Sequence, residues 1–240
     1  MPEWPVKPLP NLNAALRDIE SGSVNAKLDA IATLSRTDES NADRARGALR
    51  EALGDPSPKV ISEAALALAE RGVGDAIEAL LPLASHQEGR VAQAAVIALG
   101  ESGNADAVEV VKTALDSGDP DVRFQAVLAY ARLAGREGLS TLMEYAEDAD
   151  PEVRANIAAA LADLGGEDAS PMLEKLLSDS DASVRLEAAL ALADRKDVAG
   201  AKVLIDALSD TDVAPQAVLA LGKIQPPGAK EPLRKLAKGS

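Results

Sequence analysis

The chain has 240 residues, no cysteine, one histidine, 2% aromatics and 47% apolar residues; 39 acids against 25 bases give a formal charge of −14. That inventory excludes disulfides, cysteine-ligated metal, thiol catalysis and multi-histidine centres. It also argues against nucleic acid and anionic membrane surfaces as partners, because both are held by clustered Lys and Arg.

Residues 1–11 carry Pro2, Pro5, Pro8 and Pro10 and are predicted to form an extended arm, with Trp4 either folding back over the open end of the first helical repeat, the favoured reading, or docking on another molecule. This start has an acid, several prolines and no apolar core, unlike a signal peptide. No apolar run reaches the roughly 18 residues of a membrane helix, so a cytoplasmic, membrane-free chain is expected. From residue 12 onward a 31-residue period dominates. Val60, Val91, Val122, Val153 and Val184 follow it. So do Leu49, Leu80, Val111, Leu142, Leu173 and Leu204, and so do Leu68, Leu99, Tyr130, Leu161 and Leu192. At the ends Ala26 takes the anchor place 34 residues before Val60, with the extra length in Thr37–Ser40, and Val213 follows Val184 by 29.

Each unit contains two patterns with the 3.6-residue period, typified by Ala169, Met172, Leu173 and Leu176, then Val184, Ala188, Ala191 and Leu192. Helix pairs are therefore predicted at about 12–36, 42–71, 74–102, 105–134, 137–164, 167–194 and 197–224, with a lone helix at 228–238. Three residues before the anchors stand Ser23, Ser57, Glu88, Asp119, Asp150, Asp181 and Asp210, all but Glu88 good N-cap residues. Pro58, Pro120 and Pro151 follow at the first helical position, and Gly72, Gly103 and Gly165 mark helix ends. One such unit cannot bury its apolar face alone. The predicted fold is all-α: an α-solenoid of about seven two-helix repeats plus a C-terminal capping helix, one domain over 12–240 after the 1–11 arm.

Asp119-Pro120-Asp121-Val122-Arg123, Asp150-Pro151-Glu152-Val153-Arg154 and Asp181-Ala182-Ser183-Val184-Arg185 resemble the turn and inner-helix start of HEAT repeats. The continuations Ala188-Ala189-Leu190-Ala191-Leu192 and Ala94-Ala95-Val96-Ile97-Ala98-Leu99-Gly100 are similar to the short phycobilisome-lyase-like subtype. The resemblance implies a structural ladder in which Arg123, Arg154 and Arg185 pair with turn acids such as Asp119, Asp150 and Asp181. Lys27 substitutes for the arginine, while Ile61, Ala92 and Ala214 interrupt the series.

No phosphate loop, dinucleotide fingerprint or G-x-S-x-G nucleophile motif is present. The Asp-rich turns lack the glycine and terminal Glu of a calcium loop. His86, placed near the end of an outer helix, is followed by Gln87, unlike the His-Glu pairs that hold iron in deoxyhypusine hydroxylase, an enzyme of HEAT-like architecture. No cofactor, metal or catalytic residue is expected.

What remains is surface. Helical periodicity turns the second, third, sixth and tenth residues after each anchor toward the concave side. The sixth position reads Ala32, Leu66, Ile97, Leu128, Ala159, Leu190 and Leu219; the second adds Leu28, Phe124, Leu186 and Pro215. The third and tenth are mostly polar, including Glu63, Glu70, Glu101 and Glu187, with Arg36, Arg132 and Lys223 as exceptions. An apolar floor between carboxylates fits a protein or peptide segment of apolar and basic character. The expected function is a non-catalytic interaction scaffold, with Leu66, Ile97, Phe124, Leu128, Leu186 and Leu190 as anchors and Glu63, Glu70, Glu101 and Glu187 as steering charges. In the competing reading these leucines are inter-repeat core, since a one-residue slip rotates the face by about 100°. The subtype implies a second function, that of a tetrapyrrole-lyase subunit or chaperone-like partner in a heterodimer. End-to-end assembly through Lys230, Arg234, Lys235 and Lys238 is a third possibility, with a monomer favoured.

Overall fold

The computed structural model describes residues 11–164 and 169–238; the Trp4 arm and Gly165 lie outside the described residues. Fifteen α-helices and no strand occur among them. The chain divides into two compact units, one closing at Leu133 and the other opening at Ala134.

The first unit pairs α1 (Leu12–Ser21) with α2 (Val24–Leu34), α3 (Ala42–Ala52) with α4 (Pro58–Arg71), and α5 (Ile77–Leu80) with α6 (Gly89–Ser102); α7 (Ala107–Ala114) precedes α8 (Pro120–Ala134). The second holds α9 (Leu139–Glu144), α10 (Pro151–Leu164), α11 (Ser170–Leu176), α12 (Ala182–Asp194), α13 (Ala201–Ala207) and α14 (Ala214–Ile224), closed by α15 (Lys230–Ala237). Within each unit the second helix of one repeat packs on the second helix of the next: α2 on α4 and α4 on α6, then α10 on α12 and α12 on α14. This is the stacking of an α-solenoid.

The three periodic series form the core. Val60, Val91, Val122, Val153 and Val184 are each 1% exposed or less, and the series from Leu49 to Leu204 is fully buried. Tyr130, in a place held elsewhere by leucine, is also buried. Each such side chain contributes about 1.5–3 kcal/mol of burial free energy. Between them, alanines let helices approach. Gly100 takes this furthest: a Cβ there would lie 2.6 Å from the Ala129 Cβ and 2.9 Å from its Cα, so α6 and α8 need glycine at their crossing. The outermost anchor places, Ala26 and Val213, are only half-buried.

Three local departures from the predicted elements have direct causes. In the third repeat the first helix stops at Leu80 and continues as a 3-10 segment over Leu81–Ser85, because Pro82 has no N–H to donate to the preceding turn. The extra residues of the first repeat form a 3-10 turn at Glu39–Asn41. There Asp38 accepts from the Ser40 hydroxyl (2.7 Å) and the Asn41 amide (3.0 Å), and Arg71 donates to the Thr37 carbonyl (2.8 Å). The last inner helix begins only at Ala214, whose N–H donates to the Asp210 carbonyl at 2.8 Å.

The caps follow the expected residues with two exceptions, Ser57 and Asp210, the latter lying four residues before the first residue of its helix. Ser23 accepts from the Ala26 N–H, and Asp119, Asp150 and Asp181 accept from the N–H two residues on. Ser57 has the extended backbone of a cap but makes no side-chain cap bond. Its own N–H instead donates to Asp55 at 2.8 Å. At the C-terminal end, Ala229 and Leu233 pack on the cluster around Leu204 and Leu221, which makes α15 a lid over the last repeat. Its basic residues face outward, with Arg234 donating to Glu231 at 2.7 Å.

Candidate functional site

The inner-helix face follows from where the anchors are buried. An anchor aimed inward puts residues two and six positions later on the other side of the helix, at the edge of the core. Six after the anchor, Leu128 is 40% and Leu219 69% exposed, while Leu66, Ile97 and Leu190 are half-buried. Two after it, Phe124 and Leu186 are half-buried and Pro215 is exposed. Neighbouring layers therefore do not seal these side chains. In the second unit Leu186 and Leu190 pack against the cluster that contains Ala189, Ala193 and Leu204.

Glu63, Glu70 and Glu101 are exposed, and Glu187 is half-buried. Burial pushes the Glu187 carboxyl above its ordinary value, with no cation beside it to compensate. Two of the three basic exceptions at the tenth position neutralise acids: Arg132 pairs with Glu101 and Lys223 with Asp194, each reaching the tenth position of the repeat before. The rim is therefore less uniformly acidic than the sequence pattern alone implies. In the first unit, Glu63, Leu66 and Glu70 line one cleft with Leu28 and Ala32, about 480 Å³ in volume, and Arg36 and Lys59 sit on its edge. In the second, Leu186 lines a separate cleft of about 410 Å³ with Val203, Asp206, Asp210 and Val213. Ile97, Phe124, Leu128 and Leu190 line neither cleft.

The turn ladder exists, but its acid partners are not the cap residues. Arg154 forms a two-pronged pair with Asp179, Nε to Oδ2 and Nη2 to Oδ1, both at 2.8 Å. Its Nη1 reaches back to its own turn, donating to the carbonyls of Asp148 (2.8 Å) and Ala149 (3.3 Å). Lys27 meets Asp55 at 2.5 Å in the same way. Both acids lie five residues before an anchor, two before the cap place. The expected partners Asp119, Asp150 and Asp181 accept helix N–H groups. Arg123 and Arg185 keep the backward contacts, to Ser117 and to Asp179 and Ser180 respectively. The Arg154 guanidinium holds the Asp179 carboxyl below the usual carboxylate range, and Asp179 raises Arg154 in turn.

His86 occupies the same turn place as Asp55 and Asp179. Its Nδ1 accepts the Glu88 N–H at 3.0 Å, so the ring serves as a turn acceptor. Among the described residues no group of three or more His, Asp or Glu is arranged to hold a metal ion. No helix of the described residues is long and apolar enough to cross a membrane.

Comparison with known proteins places this architecture. Overlapping stretches match HEAT repeats at 47–131, 77–148, 111–193, 139–215 and 171–240. No curated protein matches the sequence. The complex of CpcE and CpcF of phycocyanin lyase from Nostoc sp. PCC7120 is similar in structure: TM-score 0.61 at 18% identity, covering 94% of this chain and 98% of that one. YibA from Escherichia coli gives 0.67 at 18% identity, over 96% and 87%. A computationally designed armadillo repeat protein for modular peptide recognition gives 0.54 at 24% identity, over 77% and 99%. At these identities the likenesses speak for the fold. With repeats matched from residue 47 to the C-terminal end, the chain belongs to the HEAT-repeat family.

Proposed function

We infer that this chain is a non-catalytic interaction scaffold that binds a protein or peptide segment on its inner-helix faces. The observation that carries this reading is the row of apolar side chains six residues after the anchors, which stay open to solvent at Leu128 and Leu219. Exposed apolar surface of this kind marks partner sites. In the first unit Leu66 lies between Glu63 and Glu70, a setting suited to an apolar side chain with a basic neighbour. Ile97, Phe124 and Leu128 extend the anchors along that unit; Leu186, Leu190 and Glu187 offer a smaller patch in the second. The likeness to an armadillo protein designed for peptide recognition supports the same use of the fold.

Peptide-library display against the wild type and a Phe124→Asp/Leu128→Asp double variant tests this. Apolar segments flanked by Lys or Arg are expected to enrich on the wild type and to lose affinity by at least about tenfold on the variant, with helicity unchanged. Equal enrichment on both proteins overturns the reading.

The likeness to the phycocyanin lyase complex, which covers nearly all of both chains, supports a second reading: a partner subunit that handles a linear tetrapyrrole. Its test is an absorbance shift when such a pigment is mixed with the protein.

A further inference from the structure

The turn ladder has one rung that is open. The residues around the Arg154–Asp179 pair line a cleft of about 440 Å³, and each has a counterpart two repeats earlier lining a larger cleft of about 630 Å³ between the third and fourth repeats. In this second cleft every charged member of the rung has been exchanged together. Ala92 stands for Arg154, Ser117 for Asp179, Thr113 for Lys175, Ser85 for Glu147 and His86 for Asp148. Where Arg154 places a guanidinium, Ala92 presents only a methyl group. The preceding repeat shows another way to end the ladder: there Ile61, 7% exposed, takes the arginine's place with an apolar side chain.

The chemistry of the open rung is one-sided. No lysine or arginine is among the residues that line it, whereas Asp116 and Asp119 both do. Asp119 is brought over the cleft by Gly89, which replaces the proline or alanine of sister repeats; a Cβ at Gly89 would overlap the Asp119 carboxylate. The walls are apolar, with Ala84, Ala92, Val110 and Ala114. The turn carbonyls that Arg154 engages have counterparts in His86 and Gln87, and no described side chain donates to them. An aliphatic stem ending in a cation matches apolar walls under a carboxylate rim.

We propose that this cleft receives an arginine side chain presented by a partner protein, which completes from outside the rung that the chain leaves open. Part of the geometry is borrowed from the molecule itself: Arg154 shows how a guanidinium sits between two successive turns and bonds the carbonyls of one; in the open rung Ser117 stands in the place of Asp179, and the carboxylates are supplied by Asp116 and Asp119. The proposal is independent of the inner-helix faces, since none of the residues assigned there lines the cleft.

The test is an NMR titration of the full chain, following the backbone amides of Gly89, Ser117, Gly118 and Asp119. Three probes are compared: a capped glycine peptide with one central arginine, the same peptide with neutral citrulline, and free arginine. The arginine peptide is expected to shift these amides saturably with a Kd on the order of 1 mM or tighter and to weaken with salt. The citrulline peptide is expected to bind at least about tenfold more weakly. Ala92→Ile, which copies Ile61, and Ala92→Arg/Ser117→Asp, which restores the rung, should each abolish the shifts. Absence of shifts, equal shifts from citrulline, or shifts that persist in a folded filling variant overturn the proposal. Free arginine binding more tightly than the peptide overturns the assignment to a partner's side chain.

Discussion

The rung at Arg154 and the rung at Ala92 are built from the same backbone turns, yet one is an ion pair and the other a cleft. The side chains of Arg154 and Asp179 are 12% and 10% exposed, so the pair has given up most of its water. Such a pair is neutral to stability when both partners are replaced together by neutral groups of matching shape, and costly when one is removed. The open rung is what coordinated replacement looks like within one chain: cation and acid have both gone, and the helices around Val91 and Val122 remain fully packed. The ladder is therefore a feature that single repeats can shed without unfolding the stack, leaving the turn edge available for other uses.

The most damaging way to probe this contrast is to break the filled rung on one side. Arg154→Ala leaves Asp179 largely buried without its cation and is expected to cost about 3 kcal/mol in urea unfolding followed by circular dichroism. Ala92→Gly at the open rung removes no ion pair and is expected to cost about 1 kcal/mol, from helix propensity and one lost methyl contact. Equal losses would mean that the pair and the cleft contribute alike.

Acid gives a gentler version of the same break. The Asp179 carboxyl has a folded pKa below its unfolded value, so its contribution is fully present above the unfolded value and is lost as pH falls through the lowered one. Wild-type stability is expected to decline from about pH 4 downward, and Asp179→Asn to show a shallower decline in the same range. The converse experiment fills the open rung. Ala92→Arg/Ser117→Asp is expected to gain about 1 kcal/mol relative to Ala92→Arg alone, which places a cation in the turn without its carboxylate.

The repeat and its core were legible in the residues because burial tolerates little else at those places: three apolar series in one period leave room for few other folds. The caps at Ser23, Asp119, Asp150 and Asp181 were legible because a short oxygen-bearing side chain before a helix start can accept an orphan N–H; Ser57, in the same place, makes no such bond. At Arg154 the ladder was read with the right cation and the wrong acid. Asp179 and Asp181 stand two residues apart and both accept a backbone N–H from the residue two further on. Nothing local separates them; only the reach of Arg154 across to the next turn does. A usable signal was present, since Asp55, Asp148 and Asp179 all stand five residues before an anchor. The open rung was out of reach for another reason: a cleft is a property of two neighbouring turns, while in the sequence Ala92 shows only as a break in the arginine series. Periodicity puts Leu128 and Leu219 opposite their anchors, where they are exposed, but the packing of Leu186 and Leu190 against the second unit's core depends on α13 and α14, which periodicity does not weigh.

The same contrast between compensated and uncompensated charge recurs inside the second unit, on a smaller scale. Asp179 and Glu187 are carboxylates of the same repeat whose affinities for a proton move in opposite directions, the first lowered by Arg154 and the second raised by burial. For Glu187 the folded pKa lies above the unfolded one, so the native state is favoured when the group is protonated, and that advantage is lost as pH rises through the raised value. At neutral pH the buried charge is a cost. Glu187→Gln keeps the shape and removes that cost, so it is expected to stabilise the protein by about 0.5 kcal/mol or less at pH 7 and to lose the advantage near pH 4. If Glu187 steers a basic partner, the same substitution weakens binding while it strengthens the fold. A variant less stable at pH 7 than the wild type would show that Glu187 is held by a favourable contact and that its burial is compensated after all.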